Sequence, residues 1–490
     1  MRSAILAAVM AGFLLAAMQT PRAAAAGPPS PIKHVVEIML ENHTFDSLYR
    51  HFPGANGIPA NTELPSPQAT YDSAPPVSPF VAGLNQGTVQ GGIDNSHYGE
   101  QMAMDYQPGG YQMDLFARYP SDGLSSITGF DPSLFPDQWS LAQHYALADD
   151  NFQPLIAPTQ PNVISSLTAD AHGWLYNDNP PASITYNSIF DQLSTVGRSW
   201  RVYYGIPRSD LNGTVWTRLV PSTEEQDLTT TSAFFSDLSS GSLPDFSLVR
   251  PGVGYSTEPW EDTQPGDAWV GQLVTATEQS RLWKSTAIFV TYDEGGGFWD
   301  HVAPPQVTPD GYGMRTPTLV ISPYTRPGIY HRQTTNMSIL SFMQHQWGMA
   351  PLNRLNARQD DFGGAFDFRQ QPSAPVPPPV VPPVTLRMGG GASTTTYSTN
   401  PGTPFTVHVL ATDPALDPAP ATTGPVTITA VGPPGAPAVS GLPATVNLAS
   451  GTGSFSVTFP TAGYYRLTAS GPNGSMGWVT IGAGVTPLTP

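Results

Sequence analysis

A run of apolar and β-branched residues, Ala287-Ile288-Phe289-Val290-Thr291, stops at two adjacent carboxylates, Asp293 and Glu294. Three glycines follow, then Asp300 and His301. A short continuous apolar run bounded by turn residues reads as a buried strand. In an open α/β sheet, the groups that meet a ligand lie just past the carboxyl ends of the strands. Paired acids and a histidine at such an edge have the composition that metal-assisted hydrolysis requires.

The surrounding chain supports a sheet of that kind. Over residues 31–370, predicted strands alternate with predicted helices. The strands are His34–Leu40, Trp200–Tyr204, Phe246–Val249, Ala287–Thr291 and Thr318–Ser322. The helices are Tyr186–Val196, Ala268–Glu278 and Asn336–Trp347. This alternation predicts an α/β fold, a mostly parallel sheet flanked by helices. The stretches 52–95 and 205–235 read as long irregular insertions around a site.

Residues 371–383 form a Pro-rich linker, with Pro-Val-Pro-Pro-Pro-Val-Val-Pro-Pro at 375–383. Beyond it, 384–490 carries short alternating runs: Val384–Met388, Phe405–Leu410, Val426–Val431, Ala444–Leu448, Ser454–Phe459, Tyr464–Ser470 and Trp478–Ile481. Strands at this spacing predict a small Ig-like β-sandwich. Its charges are Arg387, Asp413, Asp417 and Arg466, and His408 is its only histidine. That set is too sparse for acid–base or metal chemistry, so the segment reads as a binding or spacer module.

The first 26 residues read as a secretory signal: a basic start at Arg2, an apolar stretch from Ala4 to Met18, and small residues up to Ala26. The apolar stretch is shorter than the ~20 residues needed to span a bilayer. The protein is therefore expected to be secreted or periplasmic, without a transmembrane segment. It has no cysteines, so its stability must come from core burial or bound metal. The formal charge of −17 becomes −19 once Arg2 and Arg22 are removed. Such acidity argues against nucleic acid as a partner, and an anionic substrate would need a local cation in its pocket.

Several groups could do chemistry. Glu41 and Asn42 follow the strand His34–Leu40 and share the edge predicted for Asp293 and Glu294, so oxygen ligands from two strand ends could converge on one cation. Taken alone, a Glu-Asn pair after a strand is more often a cap or turn. Thr159 lies between Pro158 and Pro161 at the start of a predicted helix, where backbone N–H groups favour anions. From local sequence alone, an N-cap is the better reading of Thr159. His97 and His301 sit in polar loops, where lone histidines are usually only solvated. The triplet Gly295-Gly296-Gly297 lacks the spacing and the basic residue of a phosphate-binding loop.

In order along the chain stand His34-Val35-Val36-Glu37-Ile38-Met39-Leu40-Glu41-Asn42-His43-Thr44-Phe45-Asp46, then Gln112-Met113-Asp114, then Trp139-Ser140-Leu141-Ala142 leading to Asp150-Asn151-Phe152. Pro158-Thr159-Gln160-Pro161-Asn162, the block Asp293–Pro305, and Arg315-Thr316-Pro317-Thr318-Leu319-Val320-Ile321-Ser322-Pro323 follow. From about 33 to 350 the chain thereby resembles the bacterial phosphoesterase family that contains haemolytic and non-haemolytic phospholipases C and a group of acid phosphatases. The resemblance implies an alkaline phosphatase-like fold. It implies metal ligation by Glu41, Asn42, Asp293 and Glu294, with Thr159 as nucleophile and His97 and His301 as site histidines. The divalent metal, Ca, Mg, Mn or Zn, stays open. The expected activity is phospholipase C-type cleavage of a phosphodiester in a phospholipid, through a phosphothreonine. The alternatives are an acid phosphatase acting on monoesters and an exported binding protein with a degenerate site. A sulfatase is excluded by the lack of a cysteine or serine at the nucleophile position. One departure stands out: Glu258-Pro259 occupies the place of a His-Pro dipeptide.

Overall fold

The computed structural model describes residues 30–65, 78–81, 93–118, 123–178, 180–205, 216–220, 223–307, 311–390 and 397–485. The predicted signal segment 1–26 and parts of the loops 52–95 and 205–235 lie outside the described residues. Among the described residues, no helix is long and apolar enough to cross a membrane.

The larger part is built on a sheet of eight strands: β1 His34–Leu40, β2 Ala146–Ala148, β3 Trp200–Tyr204, β4 Leu228–Thr230, β5 Phe246–Arg250, β6 Thr286–Tyr292, β7 Thr318–Ile321 and β8 Gly328–Tyr330. Their order across the sheet is β8-β2-β7-β6-β1-β5-β3-β4. From β6 to β4 every neighbouring pair is parallel, whereas β7 runs antiparallel to both β6 and β2. The sheet is therefore mixed. The physical reason lies after β6. A parallel return requires the chain to cross to the far edge, usually through a helix. Here the chain stays at the carboxyl edge of β6 and enters β7 from that same edge.

β1 and β6 are buried on both faces, which explains their nearly unbroken apolar runs. Val35, Met39 and Phe289 pack into the apolar layer on one face, and Val36, Ile38, Leu40, Ile288 and Val290 into the layer on the other. Helices cover both. Helix Ile189–Thr195 starts at a capping box of Ser188 and Asp191. Helix Thr263–Gln279 begins five residues earlier than predicted because Asp262 caps it, and the late helix is Met337–Trp347. Part of the stretch expected to be irregular is regular: β4 extends the sheet edge and leads into helix Thr231–Ser240.

All seven predicted C-terminal strands are present in position. The pairings join them in one continuous sheet, Ala444–Leu448 at one end and Thr452–Thr458 at the other, instead of the two sheets expected of a sandwich. Those end strands are consecutive in sequence and connected by the tight turn closed by Ala449 and Thr452. The sheet thus curls around its own apolar core. Alternation identifies which face of each strand is buried, not which strand it pairs with.

The linker is docked. Val380 N donates to Asp137 Oδ1 at 2.7 Å, Val376 N to Tyr145 Oη at 3.2 Å, and Gln272 Nε2 to Pro382 O at 2.6 Å.

Candidate active site

Parallel pairing puts Leu40 of β1 beside Tyr292 of β6. The residues that follow, Glu41-Asn42 and Asp293-Glu294, therefore emerge side by side. Asn42 N donates to Asp293 Oδ1 at 3.1 Å. On the other side of β1, Arg250 ends β5, and its guanidinium pairs with Glu41 Oε1 and lies 4.0 Å from Asp293 Oδ2. Three adjacent parallel strands thus deliver charged groups to one point.

The glycines after Glu294 permit close packing there. Gly296 has φ +65°, and a Cβ on it would fall 2.5 Å from Asn42 O. On Gly297 a Cβ would fall 2.6 Å from Ile93 Cγ2. The loop can press onto Asn42 and onto residues 93–95 only without side chains at these places. Asn95 closes the contact, donating to Asn42 Oδ1 at 3.0 Å and to Glu294 Oε1 at 2.6 Å.

Thr159 is the first residue of helix Thr159–Thr168, after Pro158 at the cap position, and makes no capping bond. Its hydroxyl instead donates to Glu41 Oε2 at 3.1 Å, across 118 residues of sequence. His97 is held against the same segment through a hydrogen bond between Nδ1 and Ile156 O. The 254–258 turn adds a further carboxylate: Asn42 Nδ2 donates to Glu258 Oε2 at 2.6 Å.

His301 is placed differently. Its Nδ1 is hydrogen-bonded to Asp46 Oδ2 at 2.6 Å, and its backbone N donates to the same oxygen at 2.8 Å. Arg315 bridges Asp46 at 3.2 Å and Asp300 at 2.8 Å. Among the described residues, no hydrogen bond joins His301 to Thr159 or to the four acidic-edge residues. Asp46, Asp300 and His301 lie close enough together to hold an ion, yet two buried guanidiniums, Arg315 and the neighbouring Arg50, already supply the countercharge. The two Nη1 hydrogens of Arg315 go to Asn56 O and Asp149 O.

The Glu41 cluster has no such balance. Glu41 and Asp293 share the guanidinium of Arg250, and Glu258 and Glu294 add their charge to the same cluster. Burial pushes the Asp293 carboxyl well above its usual range, and Glu41 and Glu294 add to it, with Arg250 opposing. Burial raises Glu294 as well, with help from Glu100 and Glu41, and raises Glu258, aided by Glu41, Glu261, Asp293 and Glu294. Asp293 Oδ2 is buried without a hydrogen-bond partner. An excess of buried anionic oxygen with one oxygen left over fits a hard divalent cation. Glu41, Asn42, Asp293, Glu294 and the Thr159 hydroxyl make an all-oxygen donor set suited to Mg, Ca or Mn and compatible with Zn.

Other motif residues serve as supports. Met113 O accepts from Trp299 Nε1 at 2.6 Å. Asn151 Nδ2 donates to Asn336 Oδ1 at 3.0 Å, and Asn336 Nδ2 donates to Tyr292 O at 2.8 Å, steadying the end of β6. Arg250 and Asn95 escaped the sequence reading. Arg250 had a usable signal, since it directly follows the recognised strand Phe246–Val249, which ends at the same edge. Asn95 had only its nearness to His97.

The pattern of the phosphoesterase family matches residues 32–350. The chain belongs to the phosphoesterase family. Non-specific phospholipase C6 of Arabidopsis thaliana is 25% identical over 66% of this chain and 68% of its own length. Phospholipase C B of Mycobacterium tuberculosis is 26% identical over 72% of this chain and 80% of its own. The phosphoesterase is thus a phosphoric ester hydrolase with relatives named as phospholipases C. Among solved structures, a protein in the alkaline phosphatase superfamily from Vibrio parahaemolyticus aligns over 80% of this chain and 79% of its own, at 12% identity and a TM-score of 0.37.

Proposed function

We propose that this phosphoesterase is an exported phospholipase C-type enzyme that cleaves a phosphodiester through a covalent phosphothreonine at Thr159. The observation that carries the reading is the Thr159 hydroxyl donating to Glu41 within the network of Asn42, Asp293 and Glu294. The names of the relatives favour a phospholipid over a phosphate monoester, and the N-terminal apolar stretch favours export.

In this reading Thr159 attacks phosphorus in line. Glu41 Oε2, at 3.1 Å, is the acceptor that orients the hydroxyl and can take its proton. A divalent cation held by Glu41, Asn42, Asp293 and Glu294 would supply the positive charge that favours the ionised hydroxyl and draws in an anionic substrate. The alcohol, diacylglycerol for a phospholipid, leaves on the opposite side, and water then releases the phosphorylated head group from Thr159. His97 and His301 are assigned to the phosphoryl oxygens or the leaving oxygen. Asp46 holds Nδ1 of His301, which leaves Nε2 for that work.

Acid quenching during turnover of p-nitrophenyl phosphorylcholine, followed by peptide mass spectrometry, tests the intermediate. A phosphorylcholine group on the peptide containing Thr159 is expected, and its appearance on another residue would overturn the assignment. Faster turnover of p-nitrophenyl phosphate than of the choline diester would replace the phospholipase reading with an acid phosphatase.

A further inference from the structure

The C-terminal sheet domain carries little chemistry of its own, yet it is not a module on a free tether. Its linker is hydrogen-bonded along the larger part, and the two parts exchange apolar side chains. Trp260 packs against the core of the C-terminal sheet, and Leu416 packs against the apolar layer under the main sheet. The exchange is centred on the turn that enters the active site.

That turn is held from both sides. From the C-terminal domain, Arg466 grips Asp262 with two hydrogen bonds, Nε to Oδ2 at 3.1 Å and Nη2 to Oδ1 at 3.2 Å, and Thr480 Oγ1 adds a third at 3.0 Å. The pair is buried, and a bidentate guanidinium–carboxylate contact fixes orientation as well as distance. Tyr255 Oη meets Thr412 Oγ1 at 2.8 Å. Within the turn, Glu261 accepts from Gly254 N, Ser256 N, Ser256 Oγ and Thr257 N. On the site side, Ser256 O accepts from Glu41 N at 3.0 Å, Thr257 Oγ1 donates to Glu41 O at 2.9 Å, and Glu258 accepts from Asn42. At the centre, Thr257 has φ +71°. A β-branched residue adopts that conformation only where its surroundings impose it.

We infer that the C-terminal sheet domain is a positioning element of the active site, and that Arg466 and Asp262 are positioning residues that act through the 254–258 turn on Glu41, Asn42 and Glu258. The inference rests on the reading of the site given above. Without the clamp, the strained turn relaxes, and Glu41 loses the backbone bonds that set its carboxylate against Thr159.

The test uses the full-length protein and three variants: Arg466→Met, Arg466→Lys as the conservative replacement, and Val409→Ala. Val409 lies in the apolar core of the C-terminal sheet, on a strand not paired with those of Arg466 and Thr480. Titration calorimetry with Mg2+, Ca2+, Mn2+ and Zn2+ gives cation affinity, initial rates on p-nitrophenyl phosphorylcholine give kcat and KM, and thermal unfolding gives Tm. All assays run well below Tm. Arg466→Met is expected to weaken cation affinity and lower kcat by roughly tenfold, the size of effect seen when outer support of a metal site is removed. KM should change little, and Arg466→Lys should recover part of the loss. Val409→Ala should lower Tm alone. Wild-type cation affinity and kcat in Arg466→Met, with a lowered Tm like that of Val409→Ala, would reduce the clamp to structural glue and overturn the inference. A wild-type protein that binds none of the four cations would overturn the reading of the site, and the inference with it.

Discussion

Two buried acidic clusters lie close together in sequence and differ in charge balance. Asp46 and Asp300 surround Arg315, with His301 bonded to Asp46. Every strong donor there has an acceptor, and the arrangement is closed. Glu41 and Asp293 share Arg250 while Glu294 and Glu258 add further negative charge, more than one guanidinium offsets, and Asp293 Oδ2 is left without a hydrogen-bond partner. By spacing alone the first cluster looks like the metal site. Countercharge reverses that ranking. A cation site is marked by uncompensated oxygen, not by a count of acids and histidines.

The sharpest way to break the comparison is at Thr159. Thr159→Ala is expected to cut kcat by about a thousandfold or more while far-UV circular dichroism stays that of the wild type. Retention of full activity would remove the nucleophile from the open cluster. At the closed cluster, Arg315→Met leaves Asp46 and Asp300 buried without their partner. A stability loss of about 3–5 kcal/mol is expected in urea unfolding. Asp293→Asn should do the reverse. It relieves repulsion in the open cluster, so stability without metal holds or rises, while cation affinity falls about 10–100-fold. A variant of Asp300 that lost the cation while Asp293→Asn kept it would exchange the two assignments.

A pH-dependent effect concerns Glu37, on β1 below the open cluster. Burial raises its carboxyl to about 8, with Arg250 opposing. Because the folded protein binds this proton more tightly than the unfolded chain, the neutral acid is favoured in the fold. Its contribution to stability is complete below the unfolded value near 4.5 and is lost as pH rises toward 8. The slope should be ~1.4 kcal/mol per pH unit at most. Glu37→Gln should flatten the pH dependence of urea midpoints across that window.

Much of this was legible in residues. The apolar runs ending at Leu40 and Thr291 located two strand ends, and the rule for parallel sheets placed Glu41, Asn42, Asp293 and Glu294 together. The roles of Gly296 and Gly297 were not legible, because they depend on how near Asn42 and Ile93 come. The antiparallel strand within the mostly parallel sheet was missed for a related reason: nothing in Thr318–Ile321 states the direction in which it enters. The Pro-rich linker was recognised by composition, but its docking depends on Asp137, Tyr145 and Gln272, far away in sequence.

The sequence by itself determined which residues are apolar, with what period, and which acids follow immediately upon a strand, because those properties are local. Only the tertiary structure decided which acids share a countercharge. Arg250 reaches Glu41 across 209 residues, and Arg466 reaches Asp262 across 204. Coulomb interactions and desolvation act through space, so the difference between a closed ion-pair cluster and an open acidic one comes into being only when the strands are laid side by side.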